Sequence, residues 1–286
     1  MENEKQKFYL LLYTISLFLM GSNGIVASFI SLSSIEIVFI RTSIGSIIFI
    51  IISLLYKERY DCLKNKHDAI FLILSGLALG GGWIFLFEAY RIIGVGVSTL
   101  LYYLGPIIAM LVSPLFFDVK FTKAKIIGAT AVFVGLILLN KNVAVDPTKI
   151  KGIVYGIISG ILYAVMVICN KKVNKASDIE NTTCQLVTSF ILVSAFLLFT
   201  KGIHIKVADN EWLPVLWIGI VNTGIVCYLY YSSIRKLPVP IVAIFSYLDP
   251  VFAVILSAFI LHETLTAIQV LGVMLIIAGA TFSQES

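Results

Sequence analysis

Charge is what this sequence has least of. Only 13% of its 286 residues are Asp, Glu, Lys or Arg, against 59% apolar ones, whereas a soluble domain carries about a quarter charged residues. Too few polar side chains remain to cover a folded surface in water, which excludes a soluble globular domain. The mean hydropathy of +1.00 suits a lipid solvent, where each span takes roughly 20 mainly apolar residues. Cysteine is scarce too. Cys62, Cys169, Cys184 and Cys227 show no CxxC spacing, and three lie within or beside apolar runs, so neither a disulfide framework nor a zinc site is expected. His67, His204 and His262 are scattered, and no HExxH, GxSxG or P-loop pattern occurs. No metal, cofactor or enzymatic residue set is therefore expected. An intramembrane enzyme would need a facing nucleophile and base, or a cluster of metal ligands, and the apolar runs hold one deep acid and no deep histidine. The formal charge of +5 does not point to nucleic acid, because the Lys and Arg residues sit between apolar runs and not along one face.

What is present is a series of ten apolar runs separated by short polar loops. They read as spans at Phe8–Ala27, Ser34–Tyr56, Ala69–Tyr90, Val95–Phe117, Ile126–Leu139, Ile150–Cys169, Thr182–Thr200, Trp212–Ser232, Pro238–Leu261 and Leu265–Phe282. The first follows Lys5 and Lys7 as a signal peptide would. It is nevertheless long enough to span and no A-x-A site follows, so it reads as a retained helix. The fifth is short, and its flanking Lys123, Lys125 and Lys141 can snorkel to the interfaces. With the N-terminus inside, 14 of the 21 basic residues fall on the cytoplasmic side and 6 on the other, with Arg41 left in a span. Both termini of a cell-membrane protein are then expected in the cytoplasm.

A shift of 144 residues lays the chain on itself. Glu36 meets Glu180, Arg91 meets Arg235, Tyr103-Leu104 meets Tyr247-Leu248, Pro106 meets Pro250, Gly128 meets Gly272 and Gly135 meets Gly279. Chance apolar similarity would align Leu, Ile and Val, not these residues. Two five-helix repeats, 8–139 and 150–282, are therefore expected. Five is odd, so the second copy must enter the membrane inverted, an architecture of secondary transporters whose site lies at the repeat interface.

Several groups in the spans are costly in lipid and so carry information. Pro106 and Pro250 each remove a backbone N–H and free the carbonyls of Tyr102 and Ser246, as ordinary kinks or as gating elements together with Gly105. Asp249 lies mid-run. It could bind a substrate amine, carry a coupling proton or hydrogen-bond a neighbouring helix, and its repeat mate is Gly105. Arg41, whose mate is Gln185, could anchor a carboxylate or tie helices together through backbone carbonyls. Glu88 and Arg91, at i and i+3, read as a mutual ion pair or a vestibule site. Asn23, Trp83, Tyr102, Tyr103, Tyr163, Asn222 and Tyr247 complete the candidate cavity lining. The glycine stripes of the fifth and tenth runs read as helix packing or a homodimer face.

With Gly21-Ser22-Asn23, Arg41, the Leu-x-Pro turns at Pro106 and Pro250, and Glu263-Thr264-Leu265-Thr266 followed by Gly272 and Gly279, the chain resembles the EamA-type branch of the drug/metabolite transporter superfamily over about residues 8–282. Val119 stands where the first copy would carry the motif glutamate, with Asp118 before it, and Met20 where a tryptophan is often found. The resemblance implies ten helices in two repeats and movement of small metabolites, often amino acids, by alternating access through a central cavity. The expected reading is a secondary active transporter, an exporter, taking a small polar substrate, with protons as a possible coupling ion and the bilayer as its setting. A flippase for a lipid-linked substrate or a non-transporting scaffold is the alternative.

Overall fold

The structure, a computed structural model, describes residues 2–93, 95–118, 122–139, 150–200, 202–203, 205–260 and 266–282. Val119 and the Glu263-Thr264-Leu265 motif lie outside the described residues. Among the described residues every regular element is helical and no strand occurs. Up to residue 139 the chain forms α1 (Glu2–Gly21), α2 (Asn23–Ser28), α3 (Ser34–Leu55), α4 (Asp61–Lys64), α5 (Lys66–Ile93), α6 (Val95–Tyr102), α7 (Leu104–Val112) and α8 (Lys123–Leu139). From residue 150 it forms α9 (Ile150–Lys172), α10 (Asp178–Thr200), α11 (Trp212–Gly219), a π-helical stretch (Ile220–Ile225), α12 (Val226–Ile234), α13 (Val239–Phe245), α14 (Leu248–Ile260) and α15 (Ala267–Phe282). Seven segments are long and apolar enough to cross a bilayer. Large side chains such as Phe199 (90% exposed) and Phe259 (77% exposed) point away from the bundle, as lipid-facing residues do. The fifth and tenth runs are shorter helices, of 17 and 16 residues. At 1.5 Å per residue each reaches only about 25 Å.

Local sequence explains where the helices start and break. Ser33 and Glu36 form a capping box at the head of α3, with the Ser33 N–H donating to Glu36 Oε2 at 2.8 Å. The same device recurs 144 residues on. There the Ser177 N–H donates to Glu180 Oε2 at 3.1 Å and the Glu180 N–H to Ser177 Oγ at 3.0 Å. Such caps contribute about 1 kcal/mol each. The fourth run breaks at Tyr103 and the ninth at Ser246–Tyr247. Both breaks lie three or four residues before the paired prolines, since a proline ring clashes with the carbonyl four residues back. Each proline then sits in the first turn of the next helix, where its missing N–H costs nothing.

Packing joins the two halves of the chain more than it holds either half together. α5 packs along α9, α12 along α1, α7 and α6 on α9, and α14 on α1. α10 lies on α5, α3 on α11 and the π-helical stretch, α3 on α10, and α8 on α15. All of these contacts except that of α6 on α9 have a counterpart under the 144-residue shift or are their own counterpart. Two contacts are unmatched: α6 packs on α9 while α13 comes less close to α1, and α13 packs on α7 while α6 and α14 scarcely meet among the described residues. The glycine stripes face each other within the chain. A Cβ on Gly135 would lie 2.7 Å from the Gly272 carbonyl oxygen, and one on Gly279 would lie 2.7 Å from that of Gly128, so only glycine lets α8 and α15 approach this closely.

Loops tie the ends. Asp68 accepts the N–H groups of Asn174 (3.3 Å) and Lys175 (2.9 Å), Arg235 donates to the Ala176 carbonyl (2.8 Å) and to Asp178 (3.3 Å), and Lys172 donates to the Phe116 carbonyl (2.8 Å). This end, with the N-terminal residues Glu4–Tyr9 beside Lys236, is termed the terminal end below. At the distal end the Ser31 N–H donates to Glu211 at 3.1 Å.

Candidate functional site

The helix breaks bring the polar groups together. Asp249 stands in the first turn of α14, where the positive end of the helix dipole favours a carboxylate in an apolar bundle. Its Oδ2 accepts the Tyr103 hydroxyl at 2.9 Å. The Tyr247 hydroxyl in turn donates to the backbone carbonyl of Tyr103, in the stretch of chain that the break before Pro106 loosens. The two rings lie 5.7 Å apart. Asp249, Tyr102, Tyr90 and Trp83 are only half-buried although they belong to the interior of the bundle.

Arg41 projects from the middle of α3 and is 7% exposed. Its Nε donates to Thr223 Oγ1 (2.9 Å), its Nη2 to the Asn222 carbonyl (3.1 Å), and its guanidinium lies 4.6 Å above the Trp83 ring. The π-helical stretch explains these contacts, because wider winding frees carbonyls that an α-helix would use itself. No carboxylate lies within ion-pair distance of Arg41 among the described residues. Tyr90 and Tyr102 each lie within electrostatic range of both Arg41 and Asp249. The arrangement is a buried guanidinium and a half-buried carboxyl group that do not pair, with Tyr90 and Tyr102 near both.

The other sequence candidates are placed as follows. Asn222 is fully buried and stitches the break in the first span, its Nδ2 donating to the Leu19 carbonyl (2.7 Å) and Ser22 Oγ (2.8 Å). Asn23, at the start of α2, leaves Oδ1 without a partner. Tyr163 shares a hydrogen bond with Tyr230 at 2.8 Å and packs edge-on to Tyr102 at 5.5 Å, on the terminal-end side of Asp249. Glu88 pairs with Arg91 at 2.8 Å with side-chain exposures of 30% and 73%, away from the central groups. Gly105 is a packing position: a Cβ there would lie 2.6 Å from the Gly160 carbonyl oxygen and 2.9 Å from Tyr163 Cβ. Pro106 is buried beside it, and Pro250 follows Asp249 directly.

Sequence reasoning passed over Tyr13, Tyr90, Tyr230, Tyr231 and Thr223. Tyr13 donates to the Val242 carbonyl at 3.0 Å and stacks obliquely on Tyr230 at 5.4 Å. With Tyr163 these residues fill the terminal-end half of the bundle with hydroxyl-bearing rings. Tyr228, Tyr230 and Tyr231 lie at the end of their run, where an interfacial belt would also place tyrosines, so their density alone was the available signal. Among the described residues no group of three or more His, Cys, Asp or Glu side chains could hold a metal ion.

The sequence model of the EamA-like transporter family matches residues 7–141 and again 150–283. "Uncharacterized transporter YxxF" of Bacillus subtilis is 26% identical over 93% of this chain and 86% of its own length. "Protein PecM" of Dickeya dadantii is 23% identical over 74% of this chain and 72% of its own. A crystal structure of another protein superposes with a TM-score of 0.85 over 97% of both chains at 18% identity. That last likeness establishes the fold alone.

Proposed function

The chain belongs to the EamA-like transporter family, a multi-pass membrane family, and on that footing we propose that it carries a small polar metabolite with charges of both signs. The observation that carries this reading is the unpaired couple of Arg41 and Asp249. Two ions buried in lipid would be expected to pair with each other. Here the cation is held apart by Thr223, the Asn222 carbonyl and Trp83, and the anion by Tyr103. Each end then offers its charge to a cargo: Arg41 to a carboxylate, Asp249 to an amine. Tyr102, Tyr90 and Trp83 line the gap.

Ten spans in two inverted repeats are the architecture we infer. It is supported by the two family matches, the paired breaks and capping boxes, and the contacts of α1, α3, α5, α8 and α9, which recur under the 144-residue shift. Shielded by lipid, such a scaffold works by exposing one central site to each side in turn. The basic residues gathered at the terminal end support cytoplasmic termini in the cell membrane, and we infer export as the direction. Because the glycine stripes are occupied within the chain, a homodimer would have to use other surface.

The test is flux. Purified protein in liposomes is expected to exchange a radiolabelled zwitterionic amino acid, and to show little uptake of the same compound once its amine is acetylated or its carboxylate amidated. Equal rates for the blocked and unblocked compounds, or no flux across a panel of amino acids and amines, would remove the two-charge reading.

A further inference from the structure

The hydrogen bonds of Tyr103 and Tyr247 are not mirror copies, although the residues are. Tyr247 donates to the backbone carbonyl of residue 103, across 144 residues. The counterpart would be Tyr103 donating to the carbonyl of residue 247. Instead Tyr103 donates to Asp249, whose own counterpart is Gly105 and has no side chain to accept anything. The packing is lopsided in the same sense, since α13 lies on α7 at the terminal end while α6 and α14 scarcely meet. That end is also where Tyr13, Tyr163 and Tyr230 fill the bundle.

Inverted repeats reach their opposite-facing state by exchanging the conformations of the two copies. Building on the two-repeat transporter reading, we propose that Tyr103 is a two-position donor and Asp249 the residue that biases it. In the conformation described here, closed at the terminal end, Tyr103 occupies the Asp249 carboxylate. After exchange, α6 lies on α14, and Tyr103 takes the role Tyr247 has now, donating to the carbonyl of residue 247. Asp249 is released, and the Tyr247 hydroxyl finds only Gly105 where Tyr103 finds Asp249. The first conformation satisfies two hydroxyl donors within the protein and the second only one. The empty protein therefore rests closed at the terminal end. A cargo with a positively charged N–H group replaces Tyr103 on Asp249 and stabilises the terminal-end-open state by its differential contact there. The protein's own tyrosine competes with the cargo on one side of the membrane and not on the other.

Ser246, 4% exposed, and its counterpart Tyr102, half-buried, report the exchange when each is replaced by cysteine in a protein whose native cysteines are serine. The readout is the rate of maleimide labelling in nanodiscs without cargo. Asp249→Gly makes the pair symmetric. It is expected to raise Ser246→Cys labelling about tenfold or more and to lower Tyr102→Cys labelling about twofold, as a strongly one-sided population moves towards one to one. Asp249→Ala serves equally should the glycine variant fail to fold. Tyr103→Phe breaks the same hydrogen bond but also removes the donor that would serve the exchanged state, so labelling is expected to stay within about twofold of the parent. Equal increases in the Asp249 and Tyr103 variants would show an ordinary structural bond and overturn the proposal. So would an unchanged rate in both Asp249 variants, or a rise at both reporters, which marks general loosening. No cargo enters the experiment, so failure to find a transported compound leaves its outcome intact.

Discussion

Positions 105 and 249 occupy the same place, one residue before a proline in the first turn of a helix that follows a break, yet they are used in opposite ways. Gly105 is pressed against the α9 backbone, with no room for a side chain. Asp249 is only half-buried and takes a hydroxyl from across the bundle. The second helices of the two halves differ in the same manner. Arg41 and Gln185 both reach from the second helix of one half to the third helix of the other. Arg41 carries a charge to the π-helical stretch, whereas Gln185 donates to Ser75 Oγ at 2.7 Å, in a chain that continues to the Met166 carbonyl at 2.9 Å. One member of each matched pair serves packing and the other presents a charge. Positions 144 residues apart thus differ where the local packing differs.

The largest expected effect comes from forcing the pairs to match. Gly105→Asp drives a Cβ to 2.6 Å from a carbonyl on a helix that cannot retreat. It is expected to cost about 3 kcal/mol or more, read as a fall in thermal midpoint and in folded yield. Arg41→Gln, which copies the partner position, is expected to lower flux of a zwitterionic cargo about 100-fold or more while costing about 1–3 kcal/mol of stability. Arg41→Lys would rescue it poorly, because a lysine cannot reproduce the two forked donors. A flux that Arg41→Gln leaves unchanged would make Arg41 a tie between helices and nothing else.

A smaller change is expected from Asp249→Asn, which still accepts from Tyr103. Flux should drop about tenfold with the thermal midpoint nearly unmoved, and a parallel loss of both would assign Asp249 to structure. Gln185→Ala should do the converse, costing about 1–2 kcal/mol through the orphaned Ser75 and leaving substrate affinity intact. Smallest of all is Glu88→Ala. The exposed pair with Arg91 contributes about 0.5 kcal/mol, and a larger loss of transport would bring Glu88 into the pathway.

Membrane character was legible because lipid punishes polar atoms so heavily that any polar residue in a run stands out. Asp249, Arg41 and the proline pair were found by that rule, and the structure brings Arg41, Asp249, Tyr102, Tyr103, Tyr247 and Trp83 to one region. Glu88 lies apart from them, and Gly105 is explained by its contact with Gly160. Tyr13, Tyr230 and Tyr231 were missed because a tyrosine near the end of an apolar run reads the same whether it faces headgroups or a neighbouring helix. The π-helical stretch had no sequence signal, since wide and normal windings differ by one residue per turn and carry no distinct composition. The partners of Arg41 could not be read for that reason.

The glycine-to-carbonyl contact of α8 and α15 also bears on how the protein is made. α15 leaves the ribosome about 130 residues after α8, roughly 10 s at ordinary synthesis rates. For that interval α8 lacks the helix whose backbone its Gly128 and Gly135 face. α5 likewise waits for α9, and α1 for α12. An early-terminated product would therefore expose several unmatched helix faces at once.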